Sequence, residues 1–178
     1  EAQREEVQEE LKSQRTRIED LEREAIEAFN TRMEDILDIL EYKNIERVWI
    51  ERKEGTQFDS RHGGYRGGSV STFDLHVVRS NEDGAVYEDT VDTLSESERE
   101  VIGLVVALSG YLVHQVYEVV PMMLLDSLEA IDATRIARLI EYFAEHAPFL
   151  VVALLPEDAQ ALDESFDRIP AQTIAAAE

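Results

Sequence analysis

The sequence contains no cysteine, which excludes a disulfide framework and any zinc site built from thiolates. Lysine is scarce, with three residues among 178 (Lys12, Lys43 and Lys53), so arginine carries most of the positive charge. Acidic side chains dominate, and the formal net charge is -22 at pH 7. A surface this acidic, taken as a whole, is not a platform for nucleic acid, because it repels phosphate groups.

Two longer patterns are also missing. The phosphate-binding loop G-x-x-x-x-G-K-S/T occurs nowhere in the 178 residues, so the sequence lacks the segment that cradles the phosphates of ATP. The most apolar stretch, residues 101–125, is interrupted by three polar side chains and a proline, at positions 114, 115, 118 and 121. These interruptions predict a buried helix followed by a strand and not a membrane span. We therefore expect no membrane partner.

Residues 1–44 are predicted to form a coiled-coil helix. Val7, Leu11, Gln14, Ile18 and Leu21 follow the alternating four-and-three spacing of a heptad seam, with Gln14 as a polar guest. From position 29 onward the apolar residues continue on a displaced face, as expected where the root of an arm packs on a globular domain. A start within a coiled coil, without methionine, predicts a fragment. We place the domains at 1–44, the arm root, and 45–178, the globular part.

The segment after the helix predicts antiparallel strands. Residues 47–52 and 71–80 alternate apolar with polar side chains, and residues 85–91 continue after a turn rich in Asn, Asp and Gly. Residues 54–69, which are rich in Gly and Arg, predict a flexible hairpin tip. The local positive charge of this tip, from Arg61, His62 and Arg66, leaves open a second interpretation, a basic finger that reaches DNA or a partner.

The second half of the chain predicts alternating helices and strands. The expected elements are helix 94–117, strand 119–125, helix 132–145, strand 149–155 and a short helix from residue 157. This alternation predicts a parallel sheet flanked by helices. Asp126 follows the first strand directly, at the carboxyl end where α/β sheets place their ligands. Because burying an unpaired carboxylate is costly, we interpret Asp126 as an oxygen ligand for Mg²⁺.

Residues 94–132 carry a family resemblance. LSESERE, residues 94–100, resembles the LSGGE signature of ABC-type ATPase heads. VPMMLLDSLEAID, residues 120–132, resembles the Walker B strand and D-loop of the SMC and DNA-repair branch of those heads. Roughly one helix separates the two motifs, as that fold requires. The chain is similar to the C-terminal lobe of an SMC-like ATPase head, and most of all to the archaea-specific SMC-related group.

The resemblance implies an α/β fold that binds ATP and Mg²⁺ between two heads. Asp126 would be the residue that holds the metal. Ser95 and Ser97 in the signature, and Asp132 in the D-loop, would contact the nucleotide. Two of these residues also have a purely structural interpretation. Ser95 and Glu98 have the spacing of a capping box, and Asp132 can be the N-cap of the helix that it opens.

The catalytic base is the main departure from the family pattern. Active relatives carry a glutamate directly after the Walker B aspartate, where this chain has Ser127. Serine is not a general base at neutral pH, so two alternatives stand. Either ATP hydrolysis is slow because Ser127 stands at this position, or the nearest carboxylate along the sequence, Glu129, activates the water. The D-loop is one residue shorter than the common pattern, which favours Glu129.

The resemblance also implies partners and a function. The partners are an N-terminal Walker A lobe of the same protein, a second head in a homodimer, and DNA through the whole complex. The implied activity is ATP hydrolysis that organises, tethers or repairs chromosomal DNA in the cytoplasm, at the nucleoid. We expect ATPase activity only when the chain is joined to a Walker A lobe, and none from this segment alone. The alternative is a non-enzymatic coiled-coil scaffold with a degenerate nucleotide head.

Overall fold

The structure is a computed structural model that describes the backbone of residues 2–59, 64–81 and 83–170 and the side chains of residues 3–55, 71–81 and 83–170. The chain forms two compact units, Glu1–Val116 and Tyr117–Glu178. Among the described residues, no helix combines the length and the apolar character needed to cross a membrane. The predicted α/β class is confirmed, with parallel strands, flanking helices, an antiparallel hairpin region and a long N-terminal helix.

Helix α1 runs from Ala2 to Leu40 and changes character along its length. In its first half the predicted seam is exposed, each of its apolar side chains by more than half: Val7, Leu11, Ile18 and Leu21. In its second half the displaced face is completely buried, at Met33, Ile36 and Leu40. The helix ends four residues before the predicted position, because Glu41 adopts a left-handed conformation with φ 45°.

The first unit contains an antiparallel sheet in the order β1-β2-β3, with β1 at Ile45–Asp59, β2 at Gly64–Ser80 and β3 at Val86–Asp89. The ladder between β1 and β2 continues through Gly55 and Thr56, so most of the predicted tip, 54–69, is strand. Backbone pairing needs no apolar alternation, and the Gly-rich sequence therefore concealed it. Arg61 and His62 lie outside the described residues, as does the side chain of Arg66, so the basic-finger interpretation stays a prediction.

Two sets of polar contacts fasten α1 to this sheet. Asn30 uses both ends of its side-chain amide, since Nδ2 donates to the carbonyl of Ile50 at 3.0 Å and Oδ1 accepts from the N–H of Ile50 at 2.7 Å. The amide thus pairs with the edge strand β1 as another strand would. Two turns earlier on the helix, the Glu22 carboxylate accepts from Arg52 Nε at 2.8 Å and from the Ser71 hydroxyl at 2.7 Å.

Helix α2, Glu96–Val113, packs against α1. Its buried face is mostly apolar, with Val101, Val105 and Leu108, and it also includes Glu98 and Ser109. The predicted helix 94–117 is interrupted after α2, because Gln115 adopts a left-handed conformation with φ 48°. A separate short helix, α3, follows at Val116–Val119.

The second unit is built on two parallel strands, β4 at Met122–Leu125 and β5 at Phe149–Val152, with helix α4, Ala133–Ala144, between them in sequence. The apolar face of α4 is buried, and so are Met123 and Leu125 on one face of the sheet. The opposite face is open, with exposures of 49% to 66% for its four apolar side chains, Met122, Leu124, Phe149 and Val151. The predicted burial of both strands is therefore wrong for this face.

The first prediction compares two glycines of α2. Gly103 faces open space, so Gly103→Ala should raise the free energy of unfolding by about 0.5–1 kcal/mol through helix propensity. A Cβ at Gly110 would lie 3.3 Å from Cζ of Phe29 on α1. Gly110→Ala should therefore gain clearly less stability, or lose some. Urea unfolding of the two variants measures the difference, and equal gains would show that α1 and α2 do not approach closely at Gly110.

Candidate functional site

The first candidate group lies at the start of α2, where Ser95 is the N-cap. Its hydroxyl accepts from the N–H of Glu98 at 3.3 Å, and its own N–H donates to Glu98 Oε2 at 2.8 Å. These two bonds complete the predicted capping box. The Ser95 hydroxyl also donates to Glu98 Oε2 at 2.7 Å. The structural interpretation of Ser95 is thus confirmed, and its nucleotide contact stays a prediction.

The side chains around Ser95 are open to solvent. Ser95, Glu96 and Ser97 are all exposed, and the hydroxyls of Ser95 and Ser97 lie 3.4 Å apart. The N-terminus of a helix carries unpaired N–H groups and a partial positive charge, so hydroxyls placed there suit an anionic ligand. Glu96 occupies a position where the family signature has glycine, and its exposed side chain adds negative charge to this region.

A partly buried ion pair holds the glutamate of the capping box in place. Glu98 is 4% exposed, and its Oε1 accepts from Arg79 Nη2 at 2.6 Å. Arg79 stands at the end of β2, and its Nη1 also donates to Asp89 Oδ2 on β3 at 3.0 Å. Asp89 in turn accepts from the N–H of Thr90 and the hydroxyl of Thr93. Sheet, turn and helix start are therefore joined through one guanidinium.

The environment lowers the pKa of both carboxyls in this network. Burial alone raises the pKa of Glu98, but the hydrogen bonds from Ser95 and the nearby Arg79 guanidinium outweigh burial, so the pKa lies below its ordinary value. Hydrogen bonds from Thr93, Thr90 and Arg79 lower the pKa of Asp89. Both side chains are therefore charged at neutral pH, and together they neutralise the partly buried Arg79 guanidinium between them.

Sequence reasoning missed Arg79 and Asp89. Arg79 lies in an alternating strand, where a charged residue is expected on the solvent face. The capping-box pattern did reveal Glu98, because the Ser-x-x-Glu spacing is a local signal. Arg79, which balances the charge of Glu98, is distant from it along the chain. The pairing of β2 with β3, in which Val77 lies opposite Asp89, brings Arg79 and Asp89 together.

The second candidate group lies in the other unit, where β4 ends. Asp126 is exposed, and its Oδ1 accepts from the N–H of Ser127 at 2.9 Å. The Asp126 carboxylate is in solvent, so the cost of burying it does not arise in this chain. The prediction of a metal ligand had depended on that cost. The position of Asp126 after a parallel strand is as predicted. Its role as a metal ligand stays a prediction.

The turn after Asp126 is held by apolar anchors and a strained residue. Ser127 is exposed with φ 60°, a left-handed conformation that costs a non-glycine residue about 1–2 kcal/mol. Leu128 and Ile131 are buried, whereas Glu129 between them is exposed. The turn therefore presents Ser127 and Glu129 to solvent, and both alternatives for water activation stay open.

Asp132 is the N-cap of α4, as one of its two interpretations predicted. Its carboxylate accepts from the N–H of Arg135 at 3.1 Å and forms an ion pair with the Arg135 guanidinium at 2.8 Å. Because this carboxylate is exposed, capping does not exhaust its capacity to accept hydrogen bonds. The D-loop interpretation of Asp132 stays a prediction.

The donor side chains of the described residues suit a metal ion that is bound together with a nucleotide. In the part of the chain that the structure describes, no group of three or more His, Asp or Glu side chains is arranged to hold a metal ion. A single carboxylate such as Asp126 nevertheless fits Mg²⁺ in a nucleotide complex, because that ion takes one or two carboxylates and fills its other positions with water and phosphate oxygens.

Comparison with known proteins gives the class. No protein-family model matches the chain. The chain is 73% identical over 153 residues to the Smc-like protein Sph2 of Halobacterium salinarum, a match that covers 86% of this chain and 23% of that protein. It is 59% identical over 155 residues to the Smc-like protein Sph3 of Haloferax volcanii, covering 87% and 23%. The chain belongs to this family of archaeal Smc-like proteins, and the predicted resemblance is confirmed.

The chain spans 23% of the length of these relatives. A solved structure from work on the ATP-driven dimerization and DNA-stimulated activation of SMC ATPases matches 82% of this chain and 78% of its own, at 15% identity and a TM-score of 0.48. This structural likeness is weak, and the family assignment rests on the two Smc-like relatives.

The second prediction concerns acid stability. Because the pKa of folded Glu98 is lowered, its contribution is fully present above the ordinary carboxyl pKa and is lost as pH falls through the lowered value. Glu98→Gln should therefore cost ~2–4 kcal/mol at pH 7, and the deficit should shrink below about pH 4. Urea unfolding at pH 7, 5 and 3 tests this. Glu100→Gln, an exposed neighbour on α2, should change little. A Glu98→Gln deficit that is independent of pH would contradict the assignment.

Proposed function

We propose that this chain is the C-terminal lobe of an SMC-like ATPase head. The complete protein binds and hydrolyses ATP between two heads, and it uses that cycle to organise, tether or repair chromosomal DNA. It does so in the cytoplasm, at the nucleoid. The family assignment supports this proposal, and the observation that carries it is the open apolar face of the β4–β5 sheet. Parallel sheets are stable in proteins when both faces are covered, and this one is covered on one face only.

The occupant of that face is the N-terminal lobe of the same protein. The relatives are more than four times as long as the matched segment, since it covers 23% of each, so most of the protein lies outside this chain. The missing phosphate-binding loop would be part of that lobe. Met122, Leu124, Phe149 and Val151 give the apolar contact that holds two halves of one domain together. The exposed seam of α1 is likewise the surface for a second helix of the arm.

Each candidate residue then has a distinct task. Bound ATP with Mg²⁺ supplies the phosphoanhydride bond and a cation that neutralises phosphate charge. Asp126, exposed at the end of β4, would hold the metal through a water molecule. Ser95 and Ser97, at the start of α2, bind the γ-phosphate of ATP held by the opposite head. Asp132 contacts the nucleotide from the D-loop, and Glu129 or Ser127 orients the water.

A second candidate function has specific support. Ser127 stands where the family has its catalytic glutamate, and the exposed Glu96 adds negative charge beside the signature serine. Both features favour a non-enzymatic scaffold, in which the coiled coil joins two copies and the head binds nucleotide weakly. Hydrolysis and head association therefore have to be measured separately.

The third prediction tests the open face. In mixtures of this chain with the N-terminal lobe, Leu124→Asn combined with Phe149→Asn should weaken association by more than ~100-fold, because two large apolar contacts are lost. The free energy of unfolding of the chain itself should change little, since both side chains are already exposed. Isothermal titration with ATP and Mg²⁺ should give binding for the mixture and none for this chain alone.

The matched control replaces exposed apolar residues of the other unit, Phe73→Asn with Val86→Asn. These two substitutions should leave association with the N-terminal lobe unchanged. Micromolar ATP binding by the isolated chain, or equal effects of the two pairs, would refute the half-head proposal.

The fourth prediction separates the alternatives for water activation in the full-length protein. Asp126→Ala should abolish hydrolysis, because the metal loses its protein contact. If Glu129 is the base, Glu129→Gln should keep ATP binding but slow turnover by ~10²–10⁴-fold. If the site is only slow, Glu129→Gln should change little, and Ser127→Glu should accelerate turnover.

Ser127→Ala is the control for that last substitution. It keeps a non-glycine residue in the same left-handed backbone conformation and adds no carboxylate, so acceleration by glutamate alone reports general-base chemistry. Steady-state phosphate release measures all these variants. Undiminished hydrolysis by Asp126→Ala would exclude the proposed metal site.

A further inference from the structure

Arg79 connects the antiparallel sheet to the start of α2 through its guanidinium. Its two terminal nitrogens each serve a carboxylate, Nη1 donating to Asp89 and Nη2 donating to Glu98 at 2.6 Å. Its Nε is buried without a hydrogen-bond partner among the described residues. An unpaired buried N–H is unfavourable. The bonds to the two carboxylates therefore fix the position of the guanidinium, although they leave its Nε without a partner among the described residues.

The Ser95 hydroxyl is committed to the same network. It donates to Glu98 Oε2 at 2.7 Å, and that oxygen also accepts the N–H of Ser95. A hydroxyl has one proton to donate, so contact with a phosphate oxygen requires Ser95 to turn its proton away from Glu98. When this happens, Glu98 keeps the bond from the Ser95 N–H and the ion pair with Arg79.

The neutralisation of Glu98 by Arg79 matters because a phosphate bound by Ser95 would lie close to the Glu98 carboxylate. A phosphate oxygen that accepts from Ser95 lies roughly 5 Å from the Glu98 carboxylate, the length of two consecutive hydrogen bonds. Two negative charges so close repel each other strongly in a partly buried site. Arg79 places a positive charge on the far side of that carboxylate, and so reduces the repulsion at the position where Ser95 presents its hydroxyl.

We propose that Arg79 is the positioning residue for nucleotide contact by Ser95: it holds and neutralises Glu98, so that Ser95 can release its proton to an incoming phosphate. This inference rests on the proposed function, in which Ser95 binds ATP held by the opposite head. Arg79 does not touch the nucleotide. It acts through Glu98, and it belongs to the step in which two heads engage.

The test uses the full-length protein with Arg79→Met, which keeps most of the side-chain volume and removes the charge. ATP binding to a single head should be unchanged, because Arg79 acts through Ser95, which contacts only the ATP held by the opposite head. ATP-dependent association of two heads should weaken by at least ~10-fold, since an unneutralised Glu98 then opposes the phosphate. Analytical ultracentrifugation with and without ATP gives the association constant, at a temperature where circular dichroism shows every variant folded.

Rescue distinguishes positioning from a general loss of structure. Arg79→Met combined with Glu98→Gln should restore association to within about threefold of wild type, because a glutamine also completes a capping box and carries no charge. The matched control is Arg52→Met. Arg52 lies on β1 of the same sheet, and the substitution breaks its ion pair with Glu22 of α1. Arg52→Met should leave the ATP-dependent association constant unchanged.

Two results would overturn the inference: Arg79→Met heads that associate as tightly as wild type, or a defect that Glu98→Gln does not relieve. An equal loss in Arg52→Met would overturn it too, since the effect would then reflect the stability of the whole sheet. Failure of the proposed function looks different, because the wild-type protein itself would then show no ATP-dependent association.

Discussion

A parallel sheet must be covered on both faces, and the second unit of this chain depends on that constraint. With two strands and one helix it can cover one face only. The covered face holds Met123 and Leu125, and the open face presents a continuous apolar surface. Because hydrogen bonding of parallel strands does not compensate for exposed apolar area, this unit is one layer short of a complete α/β domain.

The first unit follows a different rule, in which buried charge is retained but always paired. The core between α1 and α2 is apolar, and α2 begins where that core meets the sheet. There, Glu98 is buried and Arg79 is largely buried, and each charge is balanced within hydrogen-bonding distance. A buried pair of this kind contributes little net stability compared with an apolar pair. Its contribution is geometric, since it specifies where one strand and one helix start must meet.

The sequence predicted the elements whose signals are local. Helical periodicity located α1 and α4, the Ser-x-x-Glu spacing located the start of α2, and the apolar run before Asp126 located β4. Left-handed residues at Glu41 and Gln115 shortened or divided two predicted helices, and neither is a glycine or an asparagine that would have signalled the break. The hairpin was underestimated because its Gly-rich part pairs through backbone groups alone.

The candidate site divides in the same way. Asp126 and Asp132 could be placed from the sequence because their positions follow from the ends of single elements. Arg79 and Asp89 could not, since their relationship exists only when β2, β3 and α2 are assembled. The exposure of Asp126 was also unforeseen, because an apolar run predicts the strand but not which of its ends is covered by other elements.

The two fastenings of α1 to β1 have a mechanical consequence. Glu22 and Asn30 are eight residues apart, so their contacts with the hairpin lie about 12 Å apart along the helix axis. A single contact acts as a pivot, but two contacts resist rotation as well as separation. We therefore expect α1 and the hairpin to move as one rigid unit, so that a rotation at the far end of α1 also moves β1 and β2. Arg79 lies one residue before the end of the same strand β2, so the strand carries this motion to the start of α2.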